Sequence, residues 1–273
     1  MNGSMINAMV SMNGLQQKLD MLADNIANVN TAGYKRKQGT FEDLLTTLKQ
    51  QPEAFAQPGR LTPLGFNQGW GARLTMIQPD LSQGPLQQTN EQYDLAIEGD
   101  ALFEVMTDDA GNRAYTRGGA LQATFDAAGT NILTTKDGYP LTGVNGQRIV
   151  IPAEAKSVRI ETDGTVLGIL GSGAAIQLGQ LRLVQAVKPA LLTQVADNLF
   201  AVADGLNADD IVRAVTAGGD NGIAIHQGYL EQSNVNLTDE MTELINVQRA
   251  YQLSARALSS SETMMGLANN LRG

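Results

Sequence analysis

Hydrophobic residues at both ends of this chain recur in alternating steps of four and three, and that rhythm constrains the fold more than any other feature. Met1, Met5, Ala8, Met12, Leu15, Leu19, Leu22, Ile26 and Val29 form one such series, the pattern of a helix packed along one narrow stripe. Near the other end Leu237, Leu244, Tyr251, Leu258 and Met265 fall at sevens, flanked by Met241, Ile245, Val247, Ala255 and Leu271. Isolated helices of this length are marginal in water. Burying a seam Leu or Ile contributes about 1.5–3 kcal/mol, and only once a partner covers it. Each seam therefore requires a partner, either the other helix in an intramolecular hairpin or further copies of the chain in an assembly.

The helix boundaries are marked by local chemistry. The first helix is expected to end within Asn28-Val29-Asn30-Thr31-Ala32-Gly33, with Gly33 left-handed at the C-cap. Lys35, Arg36 and Lys37 follow, where positive charge suits the carbonyl end of the helix dipole. Asn236 is the expected N-cap of the last helix, with Asp239 and Glu240 in its first turn.

Between about residues 90 and 200 the period is two. Strands are expected at Leu95–Ile97, Leu102–Met106, Ala114–Thr116, Leu121–Phe125, Ile132–Thr135, Arg148–Ile151, Val158–Ile160, Val166–Leu170 and Leu181–Gln185. Turn sequences separate them: Asp108 to Asn112, Asp126 to Gly129, Asp137-Gly138, Asn145-Gly146 and Asp163-Gly164. Short strands joined by many hairpins imply antiparallel sheets, so the fold class is α+β: paired heptad helices in a coiled-coil layer, with a β-rich middle inserted between them. The expected organisation is a helical assembly domain from residues 1–33 plus 236–273. Extended connectors follow at 34–90 and 200–235, and an outer β domain occupies 91–199.

Composition removes most chemistry. The 273 residues carry 19 Lys and Arg against 28 Asp and Glu, a net charge of −9, which offers little cationic surface for nucleic acid. Residues 51–234 hold 11 of those bases and 20 of the acids, so the acidity belongs to the middle of the chain. One histidine and no cysteine exclude thiol nucleophiles, disulfides and Cys- or multi-His zinc sites. Gly171-Ser172-Gly173-Ala174-Ala175 has two glycines of a dinucleotide fingerprint, but a strand follows where a helix is needed. Asp108, Asp109 and Asn112 lack the ligand spacing of a calcium loop. His226 reads as a packing or hydrogen-bonding residue. No catalytic, cofactor or metal site is expected. No run of about 18 apolar residues is present, and the N-terminus lacks the basic region of a cleaved signal.

Several blocks resemble a known family. Asn25-Ile26-Ala27-Asn28-Val29-Asn30-Thr31-Ala32-Gly33-Tyr34-Lys35-Arg36 is similar to the N-terminal signature of bacterial flagellar rod and hook proteins. Asp94 to Phe103, Ala114 to Leu121 and Thr135 to Gly143 resemble segments of that family's sheet domain. Gln227 to Asn236, with Gln248-Arg249-Ala250-Tyr251, resembles its C-terminal signature. Asn28, Asn30, Thr31, Gly33, Tyr34, Lys35, Gly228, Tyr229, Ser233, Asn234, Gln248, Arg249 and Tyr251 are the motif positions. The resemblance implies a non-enzymatic axial subunit of the flagellar basal body, most like the distal-rod branch, which polymerises helically with itself and with neighbouring rod and hook subunits. It implies export through the flagellar type III apparatus without a cleaved peptide, and a tube that transmits torque and conducts exported proteins. The implied assembly surfaces are the seams at Met5, Met12, Leu15, Leu19, Leu22, Ile26 and Val29, and at Leu237, Met241, Leu244, Tyr251, Leu258 and Met265. A proximal-rod, hook-type or Gram-positive paralogue is the nearest alternative, and a secreted binding module or adhesin a remoter one.

Overall fold

The computed structural model describes residues 2–43, 47–50, 65–68, 72–108, 112–126, 129–196, 198–203, 205–219 and 221–270. Met1 and Leu271 of the two seams, residues 51–64 of the first connector, and the turn centres 109–111 and 127–128 lie outside them. Packing divides the chain into two units. One comprises Met1–Ile26, Gln38–Ile77 and Leu237–Gly273, the other Ala27–Lys37 and Gln78–Asn236.

The first unit is built on two long helices, α1 (Asn2–Ala27) and α2 (Leu237–Asn270). They pack together antiparallel: Lys18 pairs with Glu243, and about two turns further along α1, Asn25 Nδ2 donates to Glu240 Oε2 at 3.1 Å. Met21, Leu22 and Asn25 of α1 and Glu240, Val247 and Ser261 of α2 are among the buried residues of this region. The covered side of α2 steps through Glu240, Leu244, Val247, Tyr251, Ser254, Leu258, Ser261 and Met265, again alternating four and three. The sevens visible in the sequence are thus one half of a heptad seam, and the other half is small or polar. Two antiparallel ribbons belong to the same part of the chain, Lys37–Asp43 with Ala72–Pro79 and Thr47–Gln50 with Gly65–Gln68.

The second unit consists of antiparallel sheets. The largest has six strands in the order Leu192–Ala196, Leu199–Val202, Arg113–Thr116, Leu102–Met106, Leu183–Ala186, Val212–Val215. Successive side chains in a strand face opposite ways, so the run Leu102-Phe103-Glu104-Val105 feeds two cores. Phe103, Val105 and Leu183 join Leu133, Ile149 and Val166 on one face. Leu102, Tyr115 and Val184 join Phe200 and Ile211 on the other. Three-stranded sheets are formed by Val150–Ile151, Asn131–Thr135 and Leu121–Phe125, and by Ala155–Ile160, Thr165–Leu170 and Ala175–Gln180. Two short ribbons complete the unit, Ala224–Gln227 with Leu95–Glu98 and Tyr229–Glu231 with Leu86–Gln88.

All nine expected strands are present within a few residues, and their turns behave as Asx-Gly chemistry requires. Gly164, at φ +84°, closes a hairpin in which Asp163 Oδ1 accepts from the Thr165 amide at 2.8 Å. α1 closes at Ala27, beside the stretch where its end is expected, and Gly33 is left-handed at φ +73°. What is corrected is the glycine's role: it stands six residues beyond the helix and marks a close approach of backbones instead of the C-cap. A Cβ on Gly33 would lie 2.5 Å from Gly118 Cα.

Candidate functional site

The motif segments converge in the second unit on one buried carboxylate. Glu231 leaves the short strand Tyr229–Glu231, and its backbone carbonyl accepts from the Gly33 amide at 2.8 Å. Its Oε1 accepts from Lys35 Nζ at 2.7 Å and from the Gly84 amide at 2.8 Å. Its Oε2 accepts from Arg117 Nε. Lys35 also donates to Ser82 O at 2.6 Å, and Arg117 donates to the carbonyls of Ala101 and Ile97, the latter at 3.0 Å. The side chains of Lys35, Arg117 and Glu231 are 1%, 2% and 1% exposed. One anion thus answers two cations with almost no water, and every charged group is held by further hydrogen bonds, the condition under which a buried network is tolerated. Burial pushes the Lys35 ammonium below its ordinary pKa, against the opposing pull of Glu231.

The neighbouring motif residues extend this lattice. Asn234 Oδ1 accepts from the Arg36 amide at 2.8 Å, while its Nδ2 donates to Asp80 O at 2.9 Å. Asp80 donates its own amide to Arg36 O at 2.8 Å. Gly228, at φ +78°, accepts from the amides of Thr89 and Asn90 and donates to Asp94 O. Ser233 is buried and its Oγ accepts from the Val235 amide at 3.3 Å. Thr31 Oγ1 donates to Asn28 Oδ1 at 3.1 Å, Tyr34 is buried, and Asn30 is exposed. Tyr229 packs edge-on against His226, 6.0 Å between ring centres. Lys35, read from the sequence as a charge at the helix end, is instead a core ion.

A second buried carboxylate lies where the large sheet forks. The strand Leu102–Met106 pairs with Leu183–Ala186 at Phe103 and with Leu141 at Val105, so Pro140–Gly143 wedges in beside Glu104. Glu104 lies 3.3 Å from Arg113 Nη1 and 3.1 Å from Arg182 Nε, and those arginines are 42% and 27% exposed. Burial raises the Glu104 carboxyl above the ordinary range, opposed by Arg182 and then Arg113. His226 Nε2 lies 2.8 Å from Glu98 Oε2, a hydrogen-bonding role on the strand Ala224–Gln227. Gly171 to Ala175 lead into the strand Ala175–Gln180, as the sequence implied.

The predicted seam residues, Val29 excepted, fall in the first unit and differ in exposure. Leu22 is buried. Met5, Met12, Leu15, Leu19, Ile26, Leu244, Tyr251, Leu258 and Met265 are half-buried, as is Val29 just beyond α1. Leu237 and Met241 are 40% and 50% exposed. Ile245, Leu253, Met264 and Leu267 are exposed as well, and at ~100° per residue the six spread across the uncovered half of α2. Gln248 and Arg249 share that open side of the helix.

Comparison with known proteins assigns this arrangement. The family described as flagella basal body rod protein matches residues 5–35, the flagellar hook protein FlgE/F/G D1 domain matches 96–168, and the flagellar basal body rod FlgEFG protein C-terminal matches 226–271. The flagellar hook-basal body complex protein FlhP of Bacillus subtilis is 34% identical over 98% of this chain and 99% of its own length. The flagellar basal-body rod protein FlgG of Borreliella burgdorferi is 34% identical over 96% of this chain and 95% of its own. That of Bacillus subtilis is 34% identical over 98% of both. The chain belongs to the flagellar basal-body rod family.

Rod-family membership makes this a structural component of the basal body and not an enzyme. The three matched regions include the charged residues of the first network and two of the second: the first and last supply Lys35 and Glu231, and the middle one supplies Arg117, Glu104 and Arg113, while Arg182 lies outside them. The same first and last regions supply α1 and α2. These regions thus contribute a helix pair with exposed apolar residues on α2 and a β unit whose motif segments meet at buried ions.

Proposed function

We propose that this chain is an axial subunit of the distal-rod type. It polymerises helically through its terminal helices into a tube that transmits torque and conducts exported flagellar proteins. The observation that supports this reading is the open apolar side of α2, which carries Leu237, Met241, Ile245, Leu253, Met264 and Leu267. Register adds to it. With Lys18 level with Glu243 and Asn25 with Glu240, the start of α1 falls opposite about residue 261, at ~1.5 Å per residue in both helices. The last turns of α2 then extend past α1. Exposed apolar side chains on the uncovered half of a long helix are the kind of surface that neighbouring helices cover.

In this reading residues 1–33 and 236–273 form the assembly domain, 34–90 and 200–235 the connectors, and 91–199 the outward β domain. Leu237 and Met241 meet a neighbouring subunit directly. The half-buried seam residues Met5, Met12, Leu15, Leu19, Ile26, Val29, Leu244, Tyr251, Leu258 and Met265, with Leu22 at the centre, hold the pair in the form a neighbour recognises. Its partners are copies of itself and the adjoining rod and hook subunits, reached through the flagellar type III export apparatus without a cleaved peptide. The full-length likeness to a hook-basal body protein named FlhP favours a second reading, a proximal-rod or hook-type paralogue of the same family.

The test is mass spectrometry and electron microscopy of hook–basal bodies purified from the source cell and from its deletion strain. The distal-rod reading expects the protein to be present and the deletion strain's structure to stop within the rod. A complete rod with a defective hook would favour the paralogue. Complete hook–basal bodies that lack the protein would sink both readings.

A further inference from the structure

We infer that Asn221 is a site of spontaneous covalent modification, at which the side-chain amide is lost to the backbone nitrogen of Gly222 while the protein stays folded. The residue is thereby converted to aspartate and isoaspartate. The reaction does not depend on the polymerising role proposed above.

The chemistry is intramolecular. Hydroxide removes the proton of the Gly222 amide, and that nitrogen attacks the carbonyl carbon of the Asn221 side chain. A new N–C bond forms, the bond to the side-chain nitrogen breaks, and that nitrogen takes a proton from water and leaves as ammonia. Water then opens the cyclic imide at either carbonyl, giving the aspartyl or the isoaspartyl chain. Glycine in the following position favours the attack, because it has no side chain to crowd it and its backbone turns freely.

Four Asn-Gly pairs occur in the chain, at Asn2, Asn13, Asn145 and Asn221, and the structure treats three of them differently. Asn13 lies within α1, where the Gly14 amide belongs to the helix ladder and points away from the preceding side chain. Asn145 sits in a turn closed from both sides: the Gly146 amide donates to Gly143 O at 2.8 Å, and the Gly143 amide donates to Gln147 O at 2.8 Å. At Asn221 these restraints are lacking. Asn221 and Gly222 are both exposed, and neither the Asn221 side chain nor the Gly222 amide forms a hydrogen bond among the described residues. Asn221 lines an open groove of about 740 Å³, so hydroxide and water reach it. Ile223, the next residue, is buried, and its carbonyl accepts from the Gly218 amide at 2.9 Å. The pair is thus free to react beside an anchored strand, Ala224–Gln227, without the sheet opening.

The test is peptide mapping by mass spectrometry of the purified full chain, held folded at mildly alkaline pH and, in parallel, unfolded in denaturant. Aspartyl and isoaspartyl products are followed over time at each pair, with Asn2 read separately. In the unfolded chain Asn13, Asn145 and Asn221 are expected to react at similar rates, since glycine follows each. Folding should leave Asn221 most of that rate and slow Asn145 by roughly tenfold, because the bond from Gly146 to Gly143 must open first. The Asn221 rate should rise with pH, and Asn221→Gln should remove the product there without changing the other sites, because glutamine would have to close a larger ring. A folded chain in which Asn221 reacts no faster than Asn145, or in which folding suppresses the two equally, would overturn the inference. An Asn221 rate indifferent to pH would overturn it as well.

Discussion

Lys35 Nζ and Glu231 Oε1 lie 2.7 Å apart although 196 positions separate them in sequence. Arg117 shares the same carboxylate. Glu231→Gln would leave two buried cations with no counter-charge, a change that costs about 3–5 kcal/mol. Denaturant unfolding followed by the β signal should show that loss. In a double-mutant cycle, Lys35→Met and Glu231→Gln should couple by at least ~1 kcal/mol, and strictly additive effects would remove the network from any account of the fold's stability.

Glu104 offers the contrast. It too stands between two cations, but Arg113 and Arg182 are 42% and 27% exposed and can regain water when the carboxylate is removed. Glu104→Gln should therefore cost far less than Glu231→Gln, and the same unfolding measurement ranks them. Equal losses would contradict the exposure argument.

The two displaced pKa values give opposite pH trends. The Glu104 carboxyl is raised, so the folded state binds its proton more tightly and stability falls as pH rises from the ordinary carboxylate range through the folded value. Glu104→Gln should flatten that slope, the difference from wild type widening above the ordinary range and vanishing below it. The Lys35 ammonium is lowered, so the unfolded chain holds its proton longer. Stability should rise between the lowered value and the ordinary lysine range, and Lys35→Met should remove the rise. Parallel pH profiles for wild type and variants would refute both assignments.

Gly33 tests the backbone approach that replaced the expected cap. Alanine there meets a left-handed backbone, costing roughly 1–2 kcal/mol by itself, and a Cβ 2.5 Å from Gly118 Cα. Gly33→Ala should lower the unfolding midpoint by more than the strain alone, whereas a C-cap glycine would lose only the strain. Calorimetry of Gly33→Ala against Gly129→Ala separates the two. Gly129 is also left-handed, with open space around its Cβ position.

What was legible in the sequence follows from how local each cause is. The terminal seams and the hairpins closed by Asx-Gly pairs rest on periods and turns spanning a few residues, and these were readable. The hairpin of Leu192–Ala196 and Leu199–Val202 was not, because its turn uses Asn198 at φ +58° instead of a glycine. Val212–Val215 and Tyr229–Glu231 fall within residues 200–235, read as an extended connector because no longer alternation surrounds them. Asn25 and Glu240 escaped because a search for apolar steps passes over polar residues that meet only in three dimensions. The Lys35–Arg117–Glu231 network joins three distant segments, and spacing alone could not group them. Its only sequence signal was that each charge sits within a family-like block.

The helix pair separates a seam from an open side, and the last prediction turns on that distinction. Leu22 is 2% exposed and Met241 is 50% exposed. Leu22→Asp buries a charge against α2 and forfeits the side chain's own burial, about 1.5–3 kcal/mol, so the pair should open and both terminal segments become sensitive to protease. The second unit, with its own cores, should keep its β signal. Met241→Asp touches a solvated position, where substitutions change stability by about 0.5 kcal/mol or less, so the monomer should unfold as wild type does. Yet the variant should fail to assemble into basal bodies, because a carboxylate on the open side would be desolvated against the neighbour. Limited proteolysis of each purified variant, set beside motility and electron microscopy of complemented deletion cells, reads both arms. If Met241→Asp assembles normally, the open apolar side is not the subunit contact, and the polymer must be held by other surfaces.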